Sequence, residues 1–158
     1  IVADYGNAFR MRVIAHDTQK ISKPGVEMVS FEQLLSQSDF LSIHIHLTKE
    51  NTKLLNAQTL ARLKKGAVLI NTSRGAIIDE QALVDLLLAK HISAAGLDVI
   101  EGEWRQDLQN HCLIKYLQSH DNLIITPHIG GITFESQEMA FSAAARKLVD
   151  FFIECDLK

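Results

Sequence analysis

The stretch Ala67-Val68-Leu69-Ile70-Asn71-Thr72-Ser73-Arg74-Gly75 decides the fold. Four apolar residues run together and lead into a polar tip. The tip ends in an arginine with a glycine directly behind it. A strand buried on both faces of a parallel sheet reads as such a run. Ligands of open α/β sheets sit outside the carboxyl ends of the strands. An arginine at that point suits a carboxylate or another anion, because its planar fork pairs with two oxygens at once.

Outward from this stretch, strands alternate with helices. Short apolar runs predict strands over 11–15, 40–45, 92–99 and 123–126. Apolar residues at helical spacing (Ile1, Val2, Tyr5, Phe9) read as the end of a helix that starts before the chain does. Ser30 and Gln33 have capping-box spacing and open a second helix. Asn56 caps a third through about Leu63, and Lys64-Lys65-Gly66 stops it. Asp79 caps a fourth, to about Lys90. A long final helix starts at Thr133 or Glu135, with Ala140, Leu148, Phe151 and Phe152 on its apolar side. Residues 101–120 are polar and irregular, with room for one short helix. Strands alternating with helices of this length imply crossover units and a parallel sheet.

Composition narrows the function. The chain has 158 residues, 47% hydrophobic, with a net charge of −3. That describes one globular domain with no general attraction to nucleic acid or to an anionic membrane. Its apolar runs fall well short of the roughly 18 residues that suggest a membrane span. No signal-peptide pattern opens it. Cys112 and Cys155 are far apart and read as free thiols in a reducing cytoplasm. His44 and His46 share one strand face, but no Cys, Asp or Glu joins them at ligand spacing, so no metal site is expected.

Several polar residues stand at or just beyond strand ends. Asp17 closes the strand 11–15. Alone it reads as a solvated loop acid, although dinucleotide-binding folds use an acid there to bind ribose hydroxyls. Asp98 follows Gly96-Leu97 and reads either as a turn acid or as a site residue. His128 lies in Thr126-Pro127-His128-Ile129-Gly130-Gly131, where the proline stops the strand and the glycines let a ligand come close. Histidine is the residue type most often used for acid–base work. A carboxylate beside such an imidazole would fix its tautomer, and Glu101 and Glu103 compete for that part on composition alone. No Gly-x-Gly-x-x-Gly phosphate loop occurs in the chain.

Together these motifs resemble the NAD-binding domain of the D-isomer-specific 2-hydroxyacid dehydrogenases. The resemblance runs through Val13-Ile14-Ala15-His16-Asp17, residues 38–44, residues 65–75, Gly96-Leu97-Asp98-Val99 and residues 126–131. It implies an α/β fold with a Rossmann-type doubly wound parallel sheet and NAD as cofactor. It implies that Arg74 binds the carboxylate of a 2-oxo or 2-hydroxy acid, that His128 exchanges a proton with it, and that Glu103 pairs with the histidine. It implies cofactor contacts from Asp17, Thr72, Ser73, Arg74, Asp98, His128, Gly130 and Gly131. It also implies a homodimer. An NAD(H)-sensing corepressor-like protein, or an inactive fragment, would carry the same motifs.

Three departures accompany the resemblance. Trp104 stands where the family usually has proline, and Ile45-His46 stands where it usually has Val-Pro. The family's first strand, its glycine loop and its substrate domain have no counterpart in these 158 residues, so residues 1–158 correspond to a partial NAD-binding domain. That strand is central in the order 3-2-1-4-5-6, so its absence is expected to leave the sheet in two parts.

Overall fold

The computed structural model describes residues 1–19 and 21–156, with the backbone alone for 154–156. Cys155 therefore lies outside the described side chains. Two compact units are present, residues 1–125 and residues 126–158.

The first unit is built on a four-stranded, wholly parallel sheet in the order β3-β4-β5-β6. Its strands are β3 (Phe40–Ile43), β4 (Ala67–Asn71), β5 (Ile92–Leu97) and β6 (Leu123–Ile125). β4 lies inside the ladder, with Leu41 opposite Leu69 on one side and Ala95 opposite Leu69 on the other. Because all four strands run the same way, their carboxyl ends share one edge.

Helices close the connections. α2 (Phe31–Gln37) carries the expected capping box, with Ser30 Oγ accepting from Gln33 N and Gln33 Oε1 accepting from Ser30 N. α3 (Ala57–Leu60) has the same reciprocal arrangement between Asn56 and Thr59. α4 (Glu80–Leu88) starts behind Asp79, whose side chain accepts from Ala82 N. Leu35, Leu60, Leu69, Leu83, Leu87, Ile92 and Leu113 fill the core between sheet and helices. The irregular region holds one short helix, α5 (Cys112–Leu117), as its composition suggested.

A separate two-stranded parallel ladder joins β1 (Ile14–Ala15) to β2 (Glu27–Met28). The expected strand over 11–15 is thus shorter, and β2 was not expected at all. Two exposed residues give no periodicity to detect. β2 is held instead by its surroundings: Glu27 N donates to Val13 O, Val29 N donates to Ala15 O, and Arg12 pairs with Glu27 at 2.8 Å. Among the described residues no ladder joins this pair to the larger sheet, in keeping with the division expected above. α1 (Val2–Ala8) forms at the expected place but buries none of its residues.

The second unit is dominated by α6 (Phe134–Asp156). Thr133 Oγ1 accepts from Ser136 N, so the earlier of the two expected starts is the one used. Ala140, Leu148, Phe151 and Phe152, expected on an apolar face, are all exposed. No helix among the described residues is long and apolar enough to cross a membrane.

Asn56 accepts from both Gln58 N and Thr59 N. Replacing Asn56 with alanine should cost about 1 kcal/mol. Calorimetry should record a fall in Tm of about 2–4 °C for a domain of this size.

Candidate functional site

The site begins at the end of β4. Alternation along the strand turns Ala67, Leu69 and Asn71 inward, and Asn71 is fully buried. A buried amide must find partners. Asn71 finds them in the loop that follows: Oδ1 accepts from Ser73 N at 2.9 Å, and Nδ2 donates to Arg74 O at 2.9 Å. Ser73 Oγ then donates to Ile43 O on β3. The turn carrying Thr72, Ser73 and Arg74 is therefore fixed from inside. Arg74 itself is exposed, with its guanidinium against Ser73 O at 2.6 Å.

The neighbouring strand end is brought alongside. Asp98 follows β5 directly, is buried, and donates its backbone N–H to Asn71 O at 2.9 Å. Beyond it the chain crosses under Gly75. A methyl group on Gly75 would lie 2.1 Å from the Ile100 carbonyl carbon and 2.2 Å from Glu101 N. Glycine is required there for space. Glu103 sits half-buried on the turn that follows. Thr72, Ser73, Arg74, Asp98 and the Glu103 turn thus occupy the same edge of the same sheet.

Asp17 stands apart from this group, just beyond β1 in the smaller ladder. It is exposed, and its Oδ1 accepts from Gln19 N. His128, Gly130 and Gly131 belong to the second unit. His128 has φ of 55°, a left-handed conformation uncommon outside glycine although histidine adopts it more often than most residues, and its N–H donates to Thr126 O. A methyl group added to Gly131 would meet nothing within 4 Å.

Sequence reasoning passed over three residues here. Asn71 was legible from strand parity, which places it on the buried face. Glu80 was hidden by Asp79, the evident helix cap beside it. His111 carried no signal. Glu80 and His111 are both buried and lie 2.9 Å apart. With Cys112 they place one possible metal ligand atom each within 4.8 Å of one another. The Glu80 and His111 atoms are engaged in hydrogen bonds to each other and to backbone N–H groups. Burial pushes the Glu80 carboxyl above its usual range, against the opposing pull of the Glu101 N–H and His111. Burial, then the charge of Glu80, pushes the Cys112 thiol up, which is the reverse of an activated nucleophile.

The arrangement suits a dinucleotide. An exposed acid, Asp17, stands just beyond β1, and a polar loop follows β4. Gly96 leaves open space beside β5, since a methyl group there would meet nothing within 4 Å. Fold and strand ends define an open α/β dinucleotide-binding domain. Residues 1–130 match the family described as "D-isomer specific 2-hydroxyacid dehydrogenase, NAD binding domain", and the chain belongs to that family.

Similar proteins agree. A hydroxypyruvate reductase of Thermotoga maritima is 39% identical over 137 residues, covering 86% of this chain and 44% of that protein. A glyoxylate reductase of Thermococcus litoralis is 38% identical over 156 residues, covering 95% and 44%. The crystal structure of a D-lactate dehydrogenase from Aquifex aeolicus, complexed with NAD and lactic acid, superposes with a TM-score of 0.84 at 35% identity, covering 99% of this chain and 50% of that one. The chain thus spans about half the length of these relatives.

Asn71→Asp should keep the bond from Ser73 N and set a carboxylate oxygen against Arg74 O. We expect a stability loss of about 1–3 kcal/mol. Urea unfolding at neutral pH should show a lower midpoint with an unchanged slope.

Proposed function

We propose that this chain is the greater part of the NAD domain of an NAD-dependent D-2-hydroxyacid dehydrogenase. The observation that carries this is the family match over residues 1–130, on a sheet edge where Arg74 and Asp98 follow adjacent strands. When bound, NAD supplies or accepts the hydride at C2 of the acid. Arg74 holds the substrate carboxylate and polarises the carbonyl through its two-pronged donor set. His128 gives the proton to the carbonyl oxygen in reduction and removes it in oxidation. Glu103, the fifth residue after Asp98, is the acid that pairs with His128 and orients its ring. Asp98 holds the carboxamide end of the cofactor, while Thr72, Ser73, Gly130 and Gly131 line its path. Asp17 receives the ribose hydroxyls and disfavours a 2′-phosphate, so NAD is preferred over NADP.

The active protein in this reading is a longer polypeptide. A preceding strand and glycine loop sit between β1 and β3, and a separate domain closes over Arg74 and sets which acid is used. The separate ladders of β1-β2 and β3-β6 support this. We place the protein in the cytoplasm, as the free thiol Cys112 suggests, and as a homodimer on the strength of the resemblance.

Two outcomes test the reading in the full-length protein. His128→Asn, chosen because asparagine tolerates a positive φ, should lower kcat by about 10²–10⁴-fold in a screen of 2-oxo acids followed by NADH consumption. NADH affinity by calorimetric titration should be nearly unchanged. Normal turnover in this variant would remove His128 from the reaction. Asp17→Ala should narrow the preference for NADH over NADPH in the ratio of kcat/KM values, and an unchanged ratio would deny Asp17 its role.

A further inference from the structure

Glu80 opens α4 and is 7% exposed, an uncommon place for a carboxylate. Its two oxygens serve two different segments. Oε1 accepts from the Glu101 backbone N–H at 2.7 Å. Oε2 lies 2.9 Å from His111 Nε2. His111 is itself the cap of α5, with Nδ1 accepting from Leu113 N at 3.3 Å. An Nδ1 that accepts leaves the ring proton on Nε2, so His111 donates to Glu80. One buried carboxylate therefore ties together the start of α4, the turn after β5 and the start of α5.

That turn carries Glu103. The held amide is only two residues before it. Gly102, with φ of 69°, makes the bend between them, and Arg105 N closes it on Gly102 O. The same segment meets the loop of Arg74, because Gly75 lies directly over Ile100 and Glu101. We propose that Glu80 is a positioning residue which, through the Glu101 amide and His111, sets the turn of Glu103 and the loop of Arg74 for the dehydrogenase reaction. This rests on the roles given to Glu103 and Arg74 above. Glu80 itself does not touch the substrate.

The chemistry of the site makes the carboxylate hard to replace. Both partners are donors, so both contacts need an acceptor. Glutamine supplies one acceptor oxygen and would set its NH₂ against either the Glu101 N–H or His111 Nε2–H. Glu80→Gln therefore preserves size and breaks one link.

The test compares full-length wild type, Glu80→Gln and Ile92→Val, the last a core change on β5 that lowers stability without touching the bridge. In Glu80→Gln, hydrogen exchange at the Glu101 amide should speed up roughly tenfold, while amides inside β4 and β5 keep their rates. Trp104, the one tryptophan of these 158 residues, is 86% exposed beside Glu103, and any tryptophan elsewhere in the full-length protein is replaced by phenylalanine in all three proteins. Its fluorescence anisotropy should fall. Reduction of the best 2-oxo acid should show kcat down about tenfold with the KM for NADH within about twofold. Ile92→Val should leave all of these at wild-type values.

Unchanged Glu101 exchange, or an equal loss of kcat in Ile92→Val, overturns the proposal. If Glu80→Gln does not fold, the wild-type Glu101 amide decides: exchange at the unprotected rate, despite its buried acceptor, also overturns it. A wild-type protein inactive on every 2-oxo acid defeats the proposed function instead, and the exchange and anisotropy results still decide whether Glu80 holds the turn.

Discussion

The site depends on one close approach of two backbones. Gly75 lies against Ile100 and Glu101 with no space for a methyl group. That contact brings the loop after β4 and the turn after β5 together. A side chain at position 75 would force the two apart, and small-to-large changes in packed places cost about 1–3 kcal/mol or more. The parallel ladder between β4 and β5 sets the same spacing from below, with Asn71 opposite Leu97. Ladder and contact together make one rigid platform from two loops.

Polar groups buried behind that platform keep its shape. Asn71 holds the loop of Ser73 and Arg74, and Glu80 holds the turn of Glu103. Both are buried, and both are satisfied by protein groups. Among the described side chains no buried polar atom lacks a partner. Loops are ordinarily the mobile parts of a fold. Here Arg74 and Glu103 stand on loops whose backbones are anchored from within, while the Arg74 side chain remains exposed.

Much of this was legible in the sequence, for identifiable reasons. Strands β4, β5 and β6 are carried by apolar runs, and the caps Ser30, Asn56 and Asp79 by side chains that satisfy helix N–H groups locally. Such signals lie within a few residues of what they determine. β2 was illegible because its two residues gain their conformation from Val13 and Ala15, more than ten positions away. Glu80 was illegible for the same reason, since its partners Glu101 and His111 are 21 and 31 positions along the chain. The strand ends bearing Thr72, Ser73, Arg74 and Asp98 were visible as positions. Asn71, which holds the first of them in place, was visible only as the last residue of a strand.

The two ladders also bear on how the chain unfolds. Hydrogen-bond cooperativity runs along a continuous sheet, and here it is interrupted between β1-β2 and β3-β6. Coupling between them passes through α2, whose Leu35 is buried in the main core and whose Phe31 packs partly against it. A two-residue ladder held by exposed contacts opens at a lower free energy than four strands around Leu69. For the 158-residue chain, no single unfolding free energy then describes the transition, which consists of two partly independent melts, and the calorimetric enthalpy should exceed the van't Hoff value.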